Sequence, residues 1–227
     1  MGGYRSWRGP ATGMALWRVE TRPGVQRILP DGVMDLMWFD GRFVFAGADT
    51  TAMVASSAGG GITWGLRLAP GAAHAVLGVP ARELADRRVD LSDLAKVPTS
   101  LLDRVPEDPA AALERVFMTL WTQADPERRL LRLAASLDRD ARTGLSVRDI
   151  ATRHDLADRT LRRLSDRLFG YGPKTLASIH RFQHALDLAR SGTALSEAAA
   201  TAGYADQSHL NREARRLAGT TPAELVA

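Results

Sequence analysis

The spacing of apolar residues divides the chain into a β-rich N-terminal part and a helical C-terminal part. Apolar runs at residues 33–39 and 43–46 flank Asp40-Gly41. Asp-Gly between two such runs is typical of a β-hairpin, because both turn positions need a positive φ. A further run at residues 62–68 predicts another strand, and from Asp108 onward the apolar residues recur at helical spacing instead. The pattern therefore predicts an α+β chain.

Two Asp-containing signals predict helices in the middle of the chain. Asp108 can cap a helix that begins with Pro109, and Asp125-Pro126 starts a second helix. Residues 91–102 predict a short helix, whereas residues 72–79 are apolar and ambiguous in type. We predict a β-rich sensor or dimerisation domain over residues 1–105, a connecting helical pair over residues 106–141, and an all-α domain over residues 142–227.

The last of these parts contains an internal repeat with an offset of 49 residues. Each copy reads as a helix, a short turn, a second helix and a Gly-x-x-Pro stop. Residues 174–190, between the copies, predict one continuous amphipathic helix. The predicted architecture is two helix-turn-helix units joined by a long helix. The aligned pairs include Ala151 with Ala200, Leu161 with Leu210, Arg163 with Arg212, Gly170 with Gly219, and Pro173 with Pro222.

The first copy predicts a basic helix face. Ser146 is a candidate cap for a helix over residues 147–154, and residues 155–157 form the turn before a second helix over residues 158–169. Leucines at i, i+3 and i+7 of that helix must face the core. Its outer face then carries arginines whose guanidinium groups suit guanine O6/N7 or phosphate, although a solvated basic face has the same pattern. These arginines are Arg159, Arg162 and Arg163.

The second copy predicts a polar helix face. Gly203 supplies a left-handed turn after a helix over residues 195–202, and Asp206 caps a second helix over residues 207–218. Gln and Asn side chains can bind adenine N6/N7, and Arg can bind guanine. The polar residues of this helix are Gln207, Ser208, Asn211, Arg212 and Arg215, with His209 at the groove edge or at the Asp206 cap.

Charge and composition narrow the class of protein. Residues 142–227 carry 13 Lys plus Arg against 9 Asp plus Glu, which is the whole net charge of +4 and fits a polyanion partner. The absence of Cys excludes a disulfide scaffold, a Cys-ligated zinc site and a thiol nucleophile. No apolar run approaches the ~18 residues of a membrane span, and no secretory signal precedes the first strand. We expect a cytoplasmic protein that does not enter a membrane.

Residues 142–227 resemble the DNA-binding domain of AraC/XylS-type transcription regulators. The motifs that carry the resemblance are residues 202–213 (AGYADQSHLNRE) and 219–222 (GTTP) in the second copy, with residues 161–163 (LRR) and 170–174 (GYGPK) in the first. The resemblance implies two recognition helices that enter successive major-groove segments on one face of DNA, about 34 Å apart.

The resemblance also assigns roles to individual residues. Phosphate contacts position the protein, whereas base contacts specify the sequence. It implies base reading by Arg159, Arg162 and Arg163 in the first copy and by Gln207, Ser208, His209 and Arg212 in the second. It implies phosphate contacts by Thr160, Lys174, Asn211 and Arg215.

The chain departs from the family pattern at two kinds of position. Where the family usually has Phe two residues after the Arg of Leu-x-Arg, this chain has Ser165 and Ala214. Losing a buried aromatic leaves a void unless neighbours fill it. Ala157 also stands where a Ser or Thr cap is usual, so we expect Asp158 to cap the helix instead.

The N-terminal part is similar to an uncharacterised domain found ahead of this DNA-binding unit in bacterial regulators. Residues 29–38 (LPDGVMDLMW) and 65–71 (GLRLAPG) carry this similarity, which implies a regulatory role and differs from the sugar-binding cupin-like arm of the best-known members. Asp35 and Arg67 each lie alone in an apolar strand, and a buried charge needs a partner. Either they pair with each other, or they face an effector pocket lined by Met34, Met37, Trp38 and Trp64, or the aromatic residues form a dimerisation patch.

Other chemistry is not supported by the sequence. His180 and His184 have metal-ligand spacing at i, i+4 but no evident third ligand, and no P-loop or Gly-x-Ser-x-Gly motif occurs. We therefore expect a transcription regulator with no catalytic residues, no metal and no cofactor. Its expected partners are promoter or operator DNA, a small-molecule effector, RNA polymerase and a second copy of itself. The alternatives are a small-molecule-binding enzyme or a protein-interaction module with secondary DNA binding.

Overall fold

A computed structural model describes residues 3–98, 101 and 107–226. Within these residues, the N-terminal part contains eight strands, which confirms the prediction of a β-rich domain. They are β1 (Arg5–Arg8), β2 (Ala15–Glu20), β3 (Gly24–Ile28), β4 (Asp35–Phe39), β5 (Arg42–Ala46), β6 (Met53–Ser57), β7 (Ile62–Arg67) and β8 (Arg88–Asp90).

Six of the strands form one antiparallel sheet in the order β1-β2-β7-β4-β5-β8, and β3 and β6 form a separate two-stranded ribbon. The hairpin predicted at Asp40-Gly41 is confirmed: it joins β4 to β5, with φ of 48° at Asp40 and 76° at Gly41. The strand predicted at residues 62–68 is β7. In the register of β4 and β7, Asp35 lies directly opposite Arg67.

Ten helices follow or interrupt the strands in the described residues, together with a single 3-10 turn at Ala81–Glu83. The ambiguous segment at residues 72–79 is helical. The helices are α1 (Ala72–Leu77), α2 (Leu91–Leu94), α3 (Pro109–Ala124), α4 (Arg128–Arg142), α5 (Val147–Arg153), α6 (Asp158–Phe169), α7 (Pro173–Arg190), α8 (Leu195–Thr201), α9 (Gln207–Ala218) and α10 (Pro222–Val226).

Two expected helix boundaries are wrong. The helix expected over residues 91–102 ends at Leu94, because Ala95 adopts an extended conformation; residues 99–100 and 102–106 of that segment lie outside the described residues. The second connecting helix starts at Arg128 and not at Asp125-Pro126, because Asp125 takes a left-handed conformation (φ 43°) that ends α3. Asp108 caps α3 as expected, and its carboxylate accepts the amide of Ala111 at 3.0 Å.

The two faces of the sheet have different surroundings. Leu36, Phe45 and Leu66 lie opposite one another in the register and are fully buried on one face. Helix α3 packs against this face, and its side chains at helical spacing close the core: Leu113, Val116, Phe117 and Leu120. The other face points toward the ribbon of β3 and β6 and borders a cavity, which is described below.

Helix α7 is the centre of the C-terminal part. It contacts α4, α6, α8, α9 and α10, and it buries Leu176, Ile179, Phe182 and Leu186 among them. The apolar core is continuous with that of the N-terminal part: a Cβ at Gly71 would stand 2.9 Å from the Cβ of Ala134. None of the helices in the described residues is long and apolar enough to cross a membrane.

Gly65 allows the indole ring of Trp17 to lie across β7. The two residues are register partners on β2 and β7, and a Cβ at Gly65 would stand 2.2 Å from the Trp17 ring. We predict that Gly65→Ala lowers the free energy of unfolding by about 1–3 kcal/mol, because the ring must leave its position. Chemical denaturation measures this value.

The matched control for that substitution is Gly61→Ala. A Cβ at Gly61 would meet nothing closer than Thr21 Oγ1 at 3.8 Å. It should change the free energy of unfolding by less than about 0.5 kcal/mol. Equal effects of the two substitutions would show that Trp17 does not depend on the glycine.

Candidate functional site

The first helix pair of the C-terminal part consists of α5 and α6. Ser146 caps α5, since its hydroxyl accepts the amide of Asp149 at 3.1 Å and donates to the Asp149 carboxylate at 2.7 Å. Asp155 turns the chain with a φ of 51°, and α6 spans the predicted residues. The expectation that Asp158 caps α6 is wrong: Ala157 occupies the cap position, and no side chain there accepts a hydrogen bond. The first turn is held by backbone bonds instead, since the amides of Thr160 and Leu161 donate to the Ala157 carbonyl at 2.8 and 2.9 Å.

The buried and exposed faces of α6 separate as predicted. Leu161 and Leu168 are buried, and Arg159, Arg162 and Arg163 are exposed on the outer face. Ser165 and Ala214, which replace the usual aromatic residue, are 1% and 0% exposed, so neighbouring side chains close over both positions.

The second helix pair consists of α8 and α9. Asp206 caps α9 as predicted, with its carboxylate accepting the amide of His209 at 2.6 Å. Gly203 makes the turn with a φ of 82°. Tyr204 is buried after it, and the His209 ring packs edge-on against the Tyr204 ring at 5.1 Å. His209 is therefore held at the start of the helix both by the cap and by an aromatic contact.

The two pairs differ by one residue in their turns. Helices α6 and α9 correspond at the predicted offset of 49, but α5 and α8 correspond at 48, because Ala205 is an extra residue before the second cap. The sequence alignment of Ala151 with Ala200 is therefore wrong. Ala151 corresponds to Ala199, since both are buried and accept equivalent turn hydrogen bonds of 2.9 Å, whereas Ala200 is exposed.

The outer face of α9 carries unpaired polar groups. Gln207, Ser208, Arg212 and Arg215 are exposed, and Asn211 is half-buried. Within the described ranges, none of the salt bridges involves an arginine of these outer faces: Arg159, Arg162, Arg163, Arg212 and Arg215. Thr160 is half-buried on α6, and Lys174 is exposed on the first turn of α7.

Arg216 behaves differently from its neighbours on α9. Its guanidinium donates to both carboxylate oxygens of Glu213, at 2.7 and 2.8 Å, and Ser178 on α7 also donates to Glu213. The hydrogen bond from Arg216, followed by that from Ser178, lowers the pKa of Glu213 to about 2 against the effect of burial. Arg216 thus ties α9 to α7, and the free arginines are those that point outward.

A second feature is a cavity of about 1010 Å³ between the main sheet and the ribbon of β3 and β6. Strand alternation places Asp35, Met37 and Arg67 on the face that borders it. Gln26 and Ala55 contribute the ribbon side. The cavity therefore lies between the two β-structures and is open to solvent at its edge, where Tyr4, Ile28 and Phe39 are exposed.

The charged residues of the cavity form a network. Arg67 donates to Asp31 at 2.6 Å and lies 3.7 Å from Asp35, while Trp17 donates its indole N–H to Asp35 at 2.8 Å. Burial raises the pKa of Asp35 to about 6, and the charge of Arg67 and the Trp17 hydrogen bond only partly oppose this rise. Nearby, Arg88 forms two hydrogen bonds with Asp49, at 2.8 and 2.6 Å.

Two families match the sequence. Residues 150–227 match a helix-turn-helix domain, and residues 14–90 match a domain of unknown function, DUF6597. The C-terminal part of the chain is an AraC-type helix-turn-helix domain. No curated protein matches the sequence significantly.

Crystal structures of ToxT from Vibrio cholerae share the two-domain fold. The structure from strain O395 is 8% identical, with a TM-score of 0.54, and the alignment covers 98% of this chain and 96% of that chain. A 1.65 Å structure of the same protein is 9% identical, with a TM-score of 0.52 and coverage of 98% and 97%. ToxT bound to (E)-4-(8-methylnaphthalen-1-yl)but-3-enoic acid is 10% identical, with a TM-score of 0.50 and coverage of 98% of each chain.

The AraC-type domain is in direct contact with the walls of the cavity. The ribbon bonds to the end of α9: Ala52 N–H donates to the carbonyl of Leu217 at 2.6 Å, and the Arg27 guanidinium donates to the carbonyl of Ala218. On the other side, Gln183 on α7 donates to the carbonyl of Pro30 at 2.6 Å, one residue from Asp31. The two walls of the cavity are therefore hydrogen-bonded to α7 and to the end of α9.

The four predicted effector residues do not all face the cavity. Asp35 and Arg67 form the predicted pair and also face the cavity, and Trp38 reaches its edge. Trp64 lies on the opposite face, where Arg18 packs over its ring at 5.6 Å, because residue 64 has the opposite strand parity to Arg67. Met34 lines a separate cavity of about 310 Å³ near α6.

Sequence reasoning missed two members of the cavity network. Trp17 lies in a strand that contains no recognisable motif. Its hydrogen bond to Asp35 depends on Gly65, across the sheet, because a side chain at that position would displace the indole ring. Asp31 stands between Pro30 and Gly32, a sequence that indicates a turn and gives no sign of an ion pair with Arg67. The histidine pair also separates: His180 is buried and bonds to Asp138 at 2.8 Å, whereas His184 is exposed.

The two unequal caps predict opposite effects of substitution on stability. Asp206→Ala should lower the free energy of unfolding by about 1 kcal/mol, because the His209 amide loses its acceptor. Ala157→Ser should raise it by about 0.5–1 kcal/mol, since Ala157 already has the extended backbone of a cap (φ −66°, ψ 147°). Urea denaturation of both variants measures this, and a loss of stability in Ala157→Ser would contradict it.

Asp35 predicts a pH-dependent cost of folding. Its pKa is about 6 in the fold and 3.8 as a free group, so the folded state disfavours the carboxylate above pH 6. Asp35→Asn should therefore raise the free energy of unfolding by about 1–3 kcal/mol near neutral pH. This gain should fade as the pH falls from about 6 toward 4, because the wild-type carboxyl is then protonated in the fold.

Denaturant titrations of both proteins across this pH range check the Asp35 prediction. Asp93→Asn, at an exposed position on the cavity rim, is the control and should change the value by less than about 0.5 kcal/mol at every pH. A gain for Asp35→Asn that stays constant with pH would contradict the prediction.

Proposed function

We propose that the chain is a sequence-specific DNA-binding transcription regulator whose activity is modulated through its N-terminal domain. One observation carries this proposal. The chain has two helix pairs, α5–α6 and α8–α9, and the second helix of each pair has exposed arginines on its outer face that form no salt bridge in the described residues. An exposed arginine without an acidic neighbour is available to bases and phosphates. The sequence class of the domain supports the same function.

The residue roles follow from position on each second helix. We propose that α6 and α9 enter successive major-groove segments and read bases near their N-terminal halves. Base contacts are assigned to Arg159, Arg162, Arg163, Gln207, Ser208, His209 and Arg212. Phosphate contacts are assigned to Thr160, Lys174, Asn211 and Arg215, and Arg148, exposed on the support helix α5, joins them.

Modulation by a small molecule is the second part of the proposal. The cavity supports it, because its two walls contact α7 and the end of α9. A fold neighbour, ToxT, has been crystallised with a small organic acid bound. We assign the effector site to Asp35 and Arg67, add Trp17 and Asp31, and leave out Trp38 and Trp64, which are register partners on the opposite face.

Partners and location complete the proposed function. A regulator of this kind acts on promoter DNA in the cytoplasm and contacts RNA polymerase. A homodimer would use the N-terminal domain, where edge strand β1 exposes Trp7 (38%). We propose a regulator and not an enzyme, since the charged residues at the centre of the cavity pair with one another: Arg67 with Asp31 and Asp35, and Arg88 with Asp49.

Selection of bound DNA from a random pool, followed by titration of the selected site, tests the DNA contacts. Arg212→Ala should cost about 1–3 kcal/mol on the selected site and far less on random DNA, because a base contact carries specificity. Arg215→Ala should weaken both equally and reduce the salt slope by about 1.

Arg190→Ala is the matched control for these variants. Arg190 is the last residue of α7 and lies 3.3 Å from Asp187, so it already has an acidic partner. Its loss should leave specific binding within about twofold. A pool that shows no enrichment with the full chain and with residues 142–227 alone would overturn the proposed function.

A further inference from the structure

The charged groups that line the deep part of the cavity do not balance. Three carboxylates, Asp31, Asp35 and Asp49, face two guanidinium groups, Arg67 and Arg88. Arg88 donates two hydrogen bonds to Asp49, and Arg67 donates one hydrogen bond of 2.6 Å to Asp31. Asp35 is the carboxylate left without a cation of its own.

The contacts of Asp35 confirm this count. Its Oδ1 accepts the Trp17 indole N–H at 2.8 Å and lies 3.7 Å from Arg67 Nε, which is longer than a hydrogen bond. In the part of the chain that the structure describes, no hydrogen bond reaches its Oδ2. Arg67 Nε is itself buried without an acceptor, so the two groups only partly satisfy each other. A buried carboxylate in this state gains from a further cation.

The wall beside Asp35 is aromatic and open. Tyr4 stacks on Trp17 with ring centroids 6.3 Å apart and an interplanar angle of 25°. Tyr4, Ile28 and Phe39 all line the cavity and are 53%, 44% and 45% exposed, although large apolar side chains are usually covered. A carboxylate next to exposed aromatic rings is the arrangement that recognises organic ammonium groups, through charge and through the negative face of each ring.

The rim of the cavity also carries more carboxylates than guanidinium groups. It adds Asp40, Asp90 and Asp93 against Arg42 and Arg87, and one of these arginines, Arg42, already bonds to Asp90 at 2.9 Å. An organic anion would meet a surplus of carboxylates both on entry and at the end of its path. A cation meets favourable potential throughout.

We propose that this cavity binds an organic monocation, with an ammonium head at Asp35 and an apolar body against Trp17 and Tyr4. The regulatory meaning of the site rests on the proposed function, whereas the binding itself does not. The ligand class differs from the organic acid found in ToxT, because this chain places the incompletely satisfied charge on a carboxylate, which shares Arg67 with Asp31. The raised pKa of Asp35 supports the assignment, since a bound cation stabilises the ionised form.

Three probes with the same body and different heads test the charge preference: 4-phenylbutylammonium, 4-phenylbutan-1-ol and 4-phenylbutyrate. Each is titrated calorimetrically into the full chain near pH 7.5. The ammonium should bind about tenfold or more tightly than the alcohol, a difference of about 1.4 kcal/mol, and the carboxylate should bind more weakly than the alcohol. Binding of the carboxylate as tight as that of the ammonium, or no binding of the ammonium at about 10 mM, would overturn the proposal.

Two asparagine variants locate the ammonium. Asp35→Asn should weaken the ammonium about tenfold and leave the alcohol within about twofold, because only the charge contact is lost. Asp93→Asn removes the same charge from the exposed rim and should leave the ammonium within about threefold. Equal weakening by both variants would show a general negative potential and would overturn the assignment to Asp35.

A separate titration of selected DNA distinguishes the two proposals. If the ammonium binds and DNA affinity changes in wild type but not in Asp35→Asn, both proposals stand. If it binds and DNA affinity is unchanged, the cation site stands and regulation through it fails. If the chain selects no DNA, the calorimetric result still decides the cation site.

Discussion

Burial against α7 is the constraint on which the C-terminal half depends. Its support helices α5 and α8 have seven residues each, and the second helices have twelve, which is too short for stable helices in water. Each pair therefore needs a partner that covers its apolar stripe. Helix α7 covers α6, α8 and α9, whereas α5 packs against α4 and α6. Helix α7 is fixed in turn by polar contacts, in which His180 bonds to Asp138 on α4 and Ser178 donates to Glu213 on α9. The orientation of the outer faces follows from this arrangement.

Both candidate sites contain charged groups that the protein does not fully pair, which lowers the stability of the fold. In the described residues, the outward arginines of α6 and α9 have no acidic partners, whereas Arg142, Arg153 and Arg216, which are also exposed, each have one. In the cavity, Asp35 is buried with an incomplete set of partners. Functional sites often combine such unsatisfied groups with a rigid surround, because a group already satisfied within the protein has nothing to offer a ligand.

Local signals predicted the fold well where the cause is local. Asp40-Gly41 fixes a hairpin by backbone conformation, and Ser146 and Asp206 fix helix starts by hydrogen bonds to amides three residues away. The faces of α6 and α9 follow from the spacing of their leucines. The face of the sheet on which each residue lies was harder to predict. Trp38 and Trp64 stand in the same apolar runs as Asp35 and Arg67, and only the strand register shows that the two tryptophans lie on the other face.

Features that depend on distant residues stayed out of reach. Trp17 reaches Asp35 only because Gly65, 48 positions away, has no side chain. Glu114 on α3 is buried because the amides of Ala11 and Thr12 and the Thr12 hydroxyl converge on it, which no helical pattern indicates. The repeat shows the limit of alignment: a constant offset fitted the second helices and hid the extra residue in the turn.

That extra residue, Ala205, makes the turns of the two helix pairs unequal, since residues 154–157 join α5 to α6 and residues 202–206 join α8 to α9. The two pairs are therefore not copies of one rigid unit, although their second helices match residue for residue. A loop graft that exchanges one turn for the other would shift the second helix against its support helix.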